Sequence, residues 1–258
     1  MPELPETETI ARDLDAAISG RKIRKVSVSK RDVLREVSAR TLSKRLQDAT
    51  ILRSWRRAKL VIIDLDNGDR LVVQPRFTGG LLIDDGNFRR SELRYSTLRL
   101  DLDDGRALHY ADVRRLGTVA LMSANRFAEY SAKLGIEPLD RSFTAAHLSA
   151  VLRGTNQPVK KVLMEQRKIA GIGNIYANEA LWRARIDPSR PAASISLEEA
   201  ALLRDSIVDV LREAIDARGT SFRDYRDARG QRGSFVEKLD AYGRGGLPCR
   251  RCGAKLVS

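Results

Sequence analysis

The sequence predicts an α+β protein in which one helix and an all-β segment precede an all-α segment. Short stretches rich in β-branched residues follow one another over 22–122, and turn signals such as "DNGD" (66–69) separate them. From about residue 125 the apolar residues recur at helical spacing instead. This single change of pattern indicates at least two domains, each long enough to bury a core.

The first element is a helix that starts at Pro5 and stops at Gly20. Proline suits the first helical position, where its missing N–H would be unpaired anyway. Glu6 and Glu8 complement the positive end of the helix dipole. Apolar residues then repeat at helical spacing, at Ile10, Leu14, Ala17 and Ile18.

The strands that follow are short and regularly spaced, which favours an antiparallel sandwich or barrel. They are predicted at 22–29, 50–55, 60–65, 70–75, 79–84, 96–102, 107–112 and 118–122.

The helical part is expected at 125–133, 144–153, 158–166, 174–184 and 196–217. Ser196 and Glu199 have the spacing of a capping box, and Gly219 is the expected stop of the last helix. The glycine-rich, basic tail has no sustained period and indicates a loop followed by a small hairpin. The predicted domains are therefore 1–124, 125–218 and 219–258.

The charge of the chain points to a polyanionic partner. Forty-seven Lys and Arg stand against 34 Asp and Glu, which gives a net charge of +13. Nucleic acid is the first expectation, and an anionic membrane is second because no basic amphipathic helix stands out. No stretch approaches the length of a membrane span, so we expect a cytosolic protein.

The chain has too few histidines and cysteines for several classes of enzyme. With two His and two Cys, a multi-histidine metal centre is excluded. Neither His109 nor His147 lies near a nucleophile-elbow motif, which argues against a Ser-His-Asp hydrolase. Cys249 and Cys252 form one CxxC pair, which supplies half of a four-ligand zinc site.

Pro2 and Glu3 are not explained by the helix. Removal of the initiator methionine, which a small second residue permits, would make the Pro2 nitrogen a secondary amine. The pKa of an α-amino group lies near 8, so about a tenth of it is neutral at pH 7. Such an amine can attack a sugar C1′ or an aldehyde and form an iminium, and Glu3 could move the protons.

Two further motifs carry chemistry-bearing residues. In "RRAKL" (56–60), Lys59 precedes the apolar strand "LVIIDL", where it would contact phosphate, donate a proton or simply face water at an edge. In "AGIGNIYANEAL" (170–181), Asn174 is expected to cap a helix start that could seat a phosphate. Lys160 and Lys161 open the preceding helix.

These motifs, in this order, resemble the formamidopyrimidine-DNA glycosylases, whose wider group includes endonuclease VIII. The resemblance spans the whole chain through "MPELPE", "RRAK", "DVRRLG" (112–117), "GIGNIYANEAL", "GTSFRDY" (219–225) and "YGRGGLPCRRCG" (242–253). It implies an N-terminal helix on an antiparallel β-sandwich, followed by a helical domain with a helix–two-turn–helix motif and a zinc-finger hairpin.

The resemblance also implies roles for individual residues. Pro2 would be the Schiff-base nucleophile, Glu3 the acid-base partner, and Lys59 a phosphate contact that assists β-elimination. Glu6 would shape the lesion pocket, and the basic loop near 220–233 would close over the extruded base. Contacts to DNA are expected from Tyr95, Lys160 and Asn174.

Three side chains would fill the space that the extruded base leaves. They are Phe77 in "RFTGG" and Arg114 and Leu116 in "DVRRLG". The family usually has methionine at the first position and phenylalanine at the third. The two positions have therefore exchanged bulk, or the loops have drifted and lesion search is altered.

The family finger has a second CxxC pair that this chain lacks, so zinc is expected to be bound incompletely or not at all. The implied function is a monomeric base-excision-repair glycosylase and abasic-site lyase that removes oxidised purines, such as formamidopyrimidine and 8-oxoguanine, from double-stranded DNA. Two alternatives remain open: the same chemistry on oxidised pyrimidines, or a non-catalytic protein that binds damaged DNA.

Overall fold

The computed structural model describes residues 2–88, 91, 93–222 and 224–257. The chain forms two compact units, of which the first is Met1–Ser131 with Arg218–Gly233 and the second is Ala132–Ala217 with Ser234–Ser258. These units do not coincide with the predicted boundaries at 124 and 218. The segment 218–233 returns to the first unit, which no local sequence pattern indicates.

The first unit is a β-sandwich with helices at its edge. Its strands are β1 (Ile23–Val28), β2 (Leu34–Arg35), β3 (Ile51–Arg57), β4 (Leu60–Leu65), β5 (Asp69–Gln74), β6 (Gly79–Asp84), β7 (Ser96–Leu102), β8 (Ala107–Asp112) and β9 (Thr118–Ser123). One sheet has the order β1-β7-β8-β6 and the other β2-β9-β5-β4-β3. The pairing is antiparallel except between β2 and β9, which are parallel.

Helix α1 (Leu4–Ile18) packs on the sandwich core as its apolar spacing predicts. Ile10, Leu14 and Ile18 are fully buried with residues of both sheets. Tyr225 and Ala228 join the same core, so the returning segment 218–233 is built into the first unit.

Two elements between residues 30 and 49 were not predicted, namely β2 and helix α2 (Ala39–Leu46). Ser38 caps α2 by accepting a hydrogen bond from the Thr41 backbone N–H. Leu42 and Leu46 bury one face of it. A capping serine and two leucines four residues apart were the available signals, but seven charged or polar residues around them obscured the period.

The helices of the second unit follow the predicted pattern. They are α4 (Ala145–Arg153), α5 (Val159–Met164), α6 (Asn174–Ala184) and α7 (Leu197–Asp216), while α3 (Ala124–Ser131) belongs to the first unit. The predicted capping box of α7 is present, with Ser196 and Glu199 each accepting the other's backbone N–H. Within the described residues, no helix combines the length and apolar character needed to cross a bilayer.

Candidate active site

The chain start forms a buried cap on α1. Glu3 is the N-cap residue, and its backbone N–H donates to Glu6 Oε2 at 2.8 Å. Both glutamates are 1% exposed, and Pro2 beside them is buried. The first helical residue is Leu4, so Pro5 occupies the second position rather than the predicted first. The cap fixes the residue next to Pro2 without using a conventional Ser or Asp.

Lys59 lies in the turn that joins β3 to β4. Arg57 pairs with Leu60, which leaves Ala58 and Lys59 as a two-residue turn, with Ala58 at φ +54°. Lys59 is 9% exposed and does not face water. Burial lowers the pKa of Lys59, and the charges of Glu3 and Glu6 oppose that shift. The turn therefore places a cation beside the two N-terminal carboxylates.

An ion pair ties this turn to α1. Arg56 Nε donates to Glu8 Oε2 at 2.8 Å, and a guanidinium N–H of Arg56 donates to the Ala58 carbonyl at 3.1 Å. Burial opposes ionisation of Glu8, but Arg56 and Arg12 outweigh it and lower the pKa of Glu8. Because the pair joins β3 to the helix that carries Glu3 and Glu6, it holds Lys59 in place.

The segment 218–233 meets the same carboxylate. The Thr220 backbone N–H donates to Glu6 Oε1 at 2.7 Å, so Glu6 accepts from two backbone groups 217 positions apart in the chain. Gly219 has φ +84°, and a Cβ there would lie 2.9 Å from Glu6 Oε1. Arg218 continues the attachment by donating to Asp13 at 2.6 Å and to Asp227 at 2.5 Å. Gly219 and Thr220 are functional candidates that the sequence alone did not single out.

The predicted void-filling side chains project from two neighbouring loops. Phe77 and Leu116 are 47% and 40% exposed, and the Arg114 guanidinium carbon lies 5.3 Å from the centre of the Phe77 ring. Tyr95 is 42% exposed, and its carbonyl accepts the backbone N–H of Asp112. The structure thus brings Phe77 and Arg114 together, with Tyr95 near the same end of strand β8.

A cleft of about 300 Å³ opens beside these residues in the first unit. Thr78, Tyr95 and Val113 line one part of it, and Asp224 and Arg226 line another. The segment 218–233 therefore forms part of its wall. Arg223, which belongs to the predicted basic loop, lies outside the described residues.

The phosphate-binding candidates Lys160 and Asn174 lie in the second unit. Asn174 is the first residue of α6, and Gly173 is its N-cap, which corrects the prediction that Asn174 caps the helix. The Asn174 side chain is exposed and accepts a 3.4 Å hydrogen bond from Asn178. Gly171 has φ +88° and donates its N–H to Gln166, which shapes the turn before α6. Lys160 is half-buried in the first turn of α5.

Cys249 and Cys252 lie on a small hairpin and are both free thiols. Backbone hydrogen bonds, first from Arg251, and the Trp182 indole N–H lower the pKa of Cys249 to about 7. Zinc requires four ligands, and no group of three or more His, Cys, Asp or Glu is placed for a metal among the residues that the structure describes. The described ligand set therefore does not fit a complete zinc site.

Comparison with known proteins identifies the family. Residues 1–119 match the formamidopyrimidine-DNA glycosylase N-terminal domain, and residues 134–226 match the formamidopyrimidine-DNA glycosylase H2TH domain. The chain belongs to the formamidopyrimidine-DNA glycosylase family. It is a DNA glycosylase of base-excision repair, as the resemblance of its motifs implied.

Relatives match over nearly their full lengths. The formamidopyrimidine-DNA glycosylase of Heliobacterium modesticaldum is 41% identical over all of this chain and 94% of its own. That of Moorella thermoacetica is 42% identical over 99% of this chain and 93% of its own. The structure of Lactococcus lactis Fpg with DNA containing an abasic site superposes with a TM-score of 0.91, at 33% identity over 99% of this chain and 93% of that one. The predicted fold class is confirmed.

Proposed function

We propose that this glycosylase removes oxidised purines from duplex DNA and then cleaves the abasic strand, with Pro2 as the nucleophile. The observation that carries the proposal is the buried cluster of Pro2, Glu3, Glu6 and Lys59 at the start of α1. A neutral secondary amine next to a carboxylate and a buried lysine has the groups that a Schiff-base lyase needs.

In the proposed reaction, the Pro2 nitrogen attacks C1′ and the damaged base leaves with the C1′–N bond electrons and a proton. Glu3 protonates O4′ as the sugar ring opens, and the nitrogen lone pair completes the C1′ iminium. The iminium then acidifies the C2′ proton, and its loss expels the 3′-phosphate in β-elimination. Lys59, whose pKa is lowered by burial, would contact that phosphate and donate a proton more readily than an exposed lysine.

The same proposal assigns DNA contacts to exposed groups. Lys160 and Asn174 would bind phosphates, since a lysine and an exposed amide at a helix start suit an anionic oxygen. Phe77, Arg114 and Leu116 would enter the duplex as the base leaves it, supported by their exposure and their shared surface. Tyr95 would contact DNA near them.

Oxidised pyrimidines are a second candidate substrate class. Lactococcus lactis Fpg has been crystallised both with DNA containing Fapy-dG and with DNA containing an oxidised pyrimidine. Because that relative accepts both in crystals, the two lesions should be compared in competition on this protein. A monomeric state, a cytosolic location and bound zinc stay predictions.

Borohydride trapping on a duplex with an abasic site tests the central step. We expect a covalent adduct with the mature protein and none with Pro2→Gly or with protein that retains Met1, while all three bind the duplex. Only a free N-terminal proline can form the reducible iminium through this route. Undiminished trapping by the Met1-retaining protein would assign the nucleophile to a lysine, and duplex binding without trapping by the mature protein would favour the non-catalytic alternative.

A further inference from the structure

Asp112, at the end of strand β8, is a buried carboxylate with no part in the proposed chemistry. It is 1% exposed and accepts four hydrogen bonds. Oδ1 accepts from Thr78 Oγ1 at 2.5 Å and from the Arg114 N–H at 3.2 Å. Oδ2 accepts from the Tyr110 hydroxyl at 3.1 Å and from the Gly117 N–H at 2.8 Å.

These bonds join the two loops that carry the void-filling side chains, which we call the insertion loops (residues 75–78 and 113–117). Thr78 belongs to the first loop, and the Arg114 and Gly117 N–H groups belong to the second. A direct bond also links the loops, because Arg114 donates its N–H to Thr78 Oγ1 at 3.0 Å. Asp112 is therefore the acceptor shared by both loops.

Tyr110 fills the space between the insertion loops. A Cβ on Gly117 would lie 2.0 Å from its hydroxyl oxygen, and one on Gly79 would lie 2.7 Å from it. Burial, and then the Asp112 charge, raise the pKa of Tyr110, so its hydroxyl stays protonated and donates to Asp112. The loops thus approach each other as closely as two glycines allow.

Each insertion loop also contains an arginine in the left-handed region. Arg76 has φ +53° and Arg115 has φ +52°, a conformation that costs energy for a residue with a Cβ. Strained positions persist only where the surrounding contacts hold them. The four bonds to Asp112 are the buried contacts available to hold both loops.

We propose that Asp112 is a positioning residue that holds Phe77, Arg114 and Leu116 in the arrangement required for entry into the duplex. This rests on the proposed void-filling role of those three side chains. Entry must happen while the base leaves the stack, so loops that are already ordered lose little conformational freedom at that moment. Loops released from Asp112 would present the same side chains in many arrangements, and extrusion would slow.

Asp112→Asn is the direct test because the amide keeps the shape of the carboxylate but has one acceptor oxygen. Its NH2 group would face either the Gly117 N–H or the Arg114 N–H, so one loop loses its bond. Two rates are measured: excision of the lesion from a duplex, and borohydride trapping at an abasic site in a single strand, which needs no void filling. We expect the ratio of duplex rate to single-strand rate to fall about tenfold.

Asp101→Asn is the matched control, since Asp101 lies on β7 of the same sheet and pairs with Arg99 at the surface. We expect its ratio to equal that of the wild type. Thr78→Val, which removes one bond of the set while leaving the charge, is the second variant if Asp112→Asn does not fold. Its ratio should fall in the same direction by a smaller factor.

The outcomes separate this inference from the role on which it rests. If Phe77→Ala lowers the ratio and both Asp112→Asn and Thr78→Val leave it unchanged, the positioning role is wrong and the void-filling role stands. If Phe77→Ala and Arg114→Ala also leave it unchanged, the void-filling role itself is wrong. Equal losses of both rates in folded Asp112→Asn would assign Asp112 to general stability instead.

Discussion

Replacing Glu6 by glutamine tests the contact between the start of α1 and the segment 218–233. The Glu6 carboxylate accepts the Glu3 N–H at 2.8 Å and the Thr220 N–H at 2.7 Å. Glutamine has one side-chain oxygen, so its NH2 group must face one of these two donors. At a residue that is 1% exposed, water cannot easily replace the lost acceptor.

The structure sets the expected magnitude. A hydrogen bond to a charged acceptor is worth about 1.5–3 kcal/mol, and a buried donor left without a partner costs about 1–3 kcal/mol. These describe the same lost contact, so we expect Glu6→Gln to lower the free energy of unfolding by about 2–3 kcal/mol. If the lost contact is the one to Glu3, trapping should also slow about tenfold, which corresponds to about 1.4 kcal/mol.

Urea denaturation gives the stability, and the rate of borohydride trapping across pH gives the effect on chemistry. Glu6 raises the pKa of Lys59 against the effect of burial. Removing the charge should therefore lower that pKa further and move the basic limb of the trapping profile to lower pH. A role of Glu6 in folding alone would lower stability without moving this limb.

Glu129→Gln is a suitable control because Glu129 is an exposed glutamate of α3 in the same unit. We expect its stability and trapping profile to match the wild type. The reasoning would be refuted by a Glu6→Gln protein that unfolds at the same urea concentration and traps at the same rate.

Three other changes have defined outcomes. Lys160→Ala should make the slope of log K against log salt shallower by about one, and an unchanged slope would remove Lys160 from the phosphate contacts. Gly219→Ala should lose about 2 kcal/mol in urea denaturation, since a left-handed residue with a Cβ is strained and the site has no room for it; no loss would contradict the packing. Arg56→Met should lose about 2 kcal/mol at pH 7, less than a fully buried pair because the Glu8 side chain is 20% exposed. The pKa of Glu8 is lowered in the folded protein, so the Arg56 contribution is complete above the unfolded pKa and should vanish as pH falls through the folded one; a pH-independent difference would contradict this.

Local patterns in the sequence predicted the elements that local physics determines. The capping box at Ser196 and Glu199 and the apolar period of α1 each depend on residues within one or two turns. Helix α2 was missed because its apolar face consists of only Leu42 and Leu46. The cap of α6 was assigned one residue too late, since a glycine N-cap leaves no side-chain signal and the neighbouring Asn174 has one.

The candidate site could be predicted only where a motif carried it. Pro2, Glu3 and Lys59 stood out because their chemistry is unusual at those positions. The bond between Glu6 and Thr220 joins residues 214 positions apart, and no periodicity or spacing reports such a contact. Asp112 was visible in "DVRRLG" but looked like an ordinary strand end, because its four donors come from two loops that only the fold brings together.

Both long-range contacts have the same physical form, a buried carboxylate that accepts backbone N–H groups from segments distant in sequence. Glu6 joins the nucleophile's neighbour to the segment 218–233, and Asp112 joins the two insertion loops to each other. A buried charge is costly unless its acceptors are filled, so each carboxylate is stable only when both segments are in place. The free energy that penalises an unfilled carboxylate therefore also fixes the positions of the segments, and in each case one of those segments carries or adjoins a group assigned to the reaction.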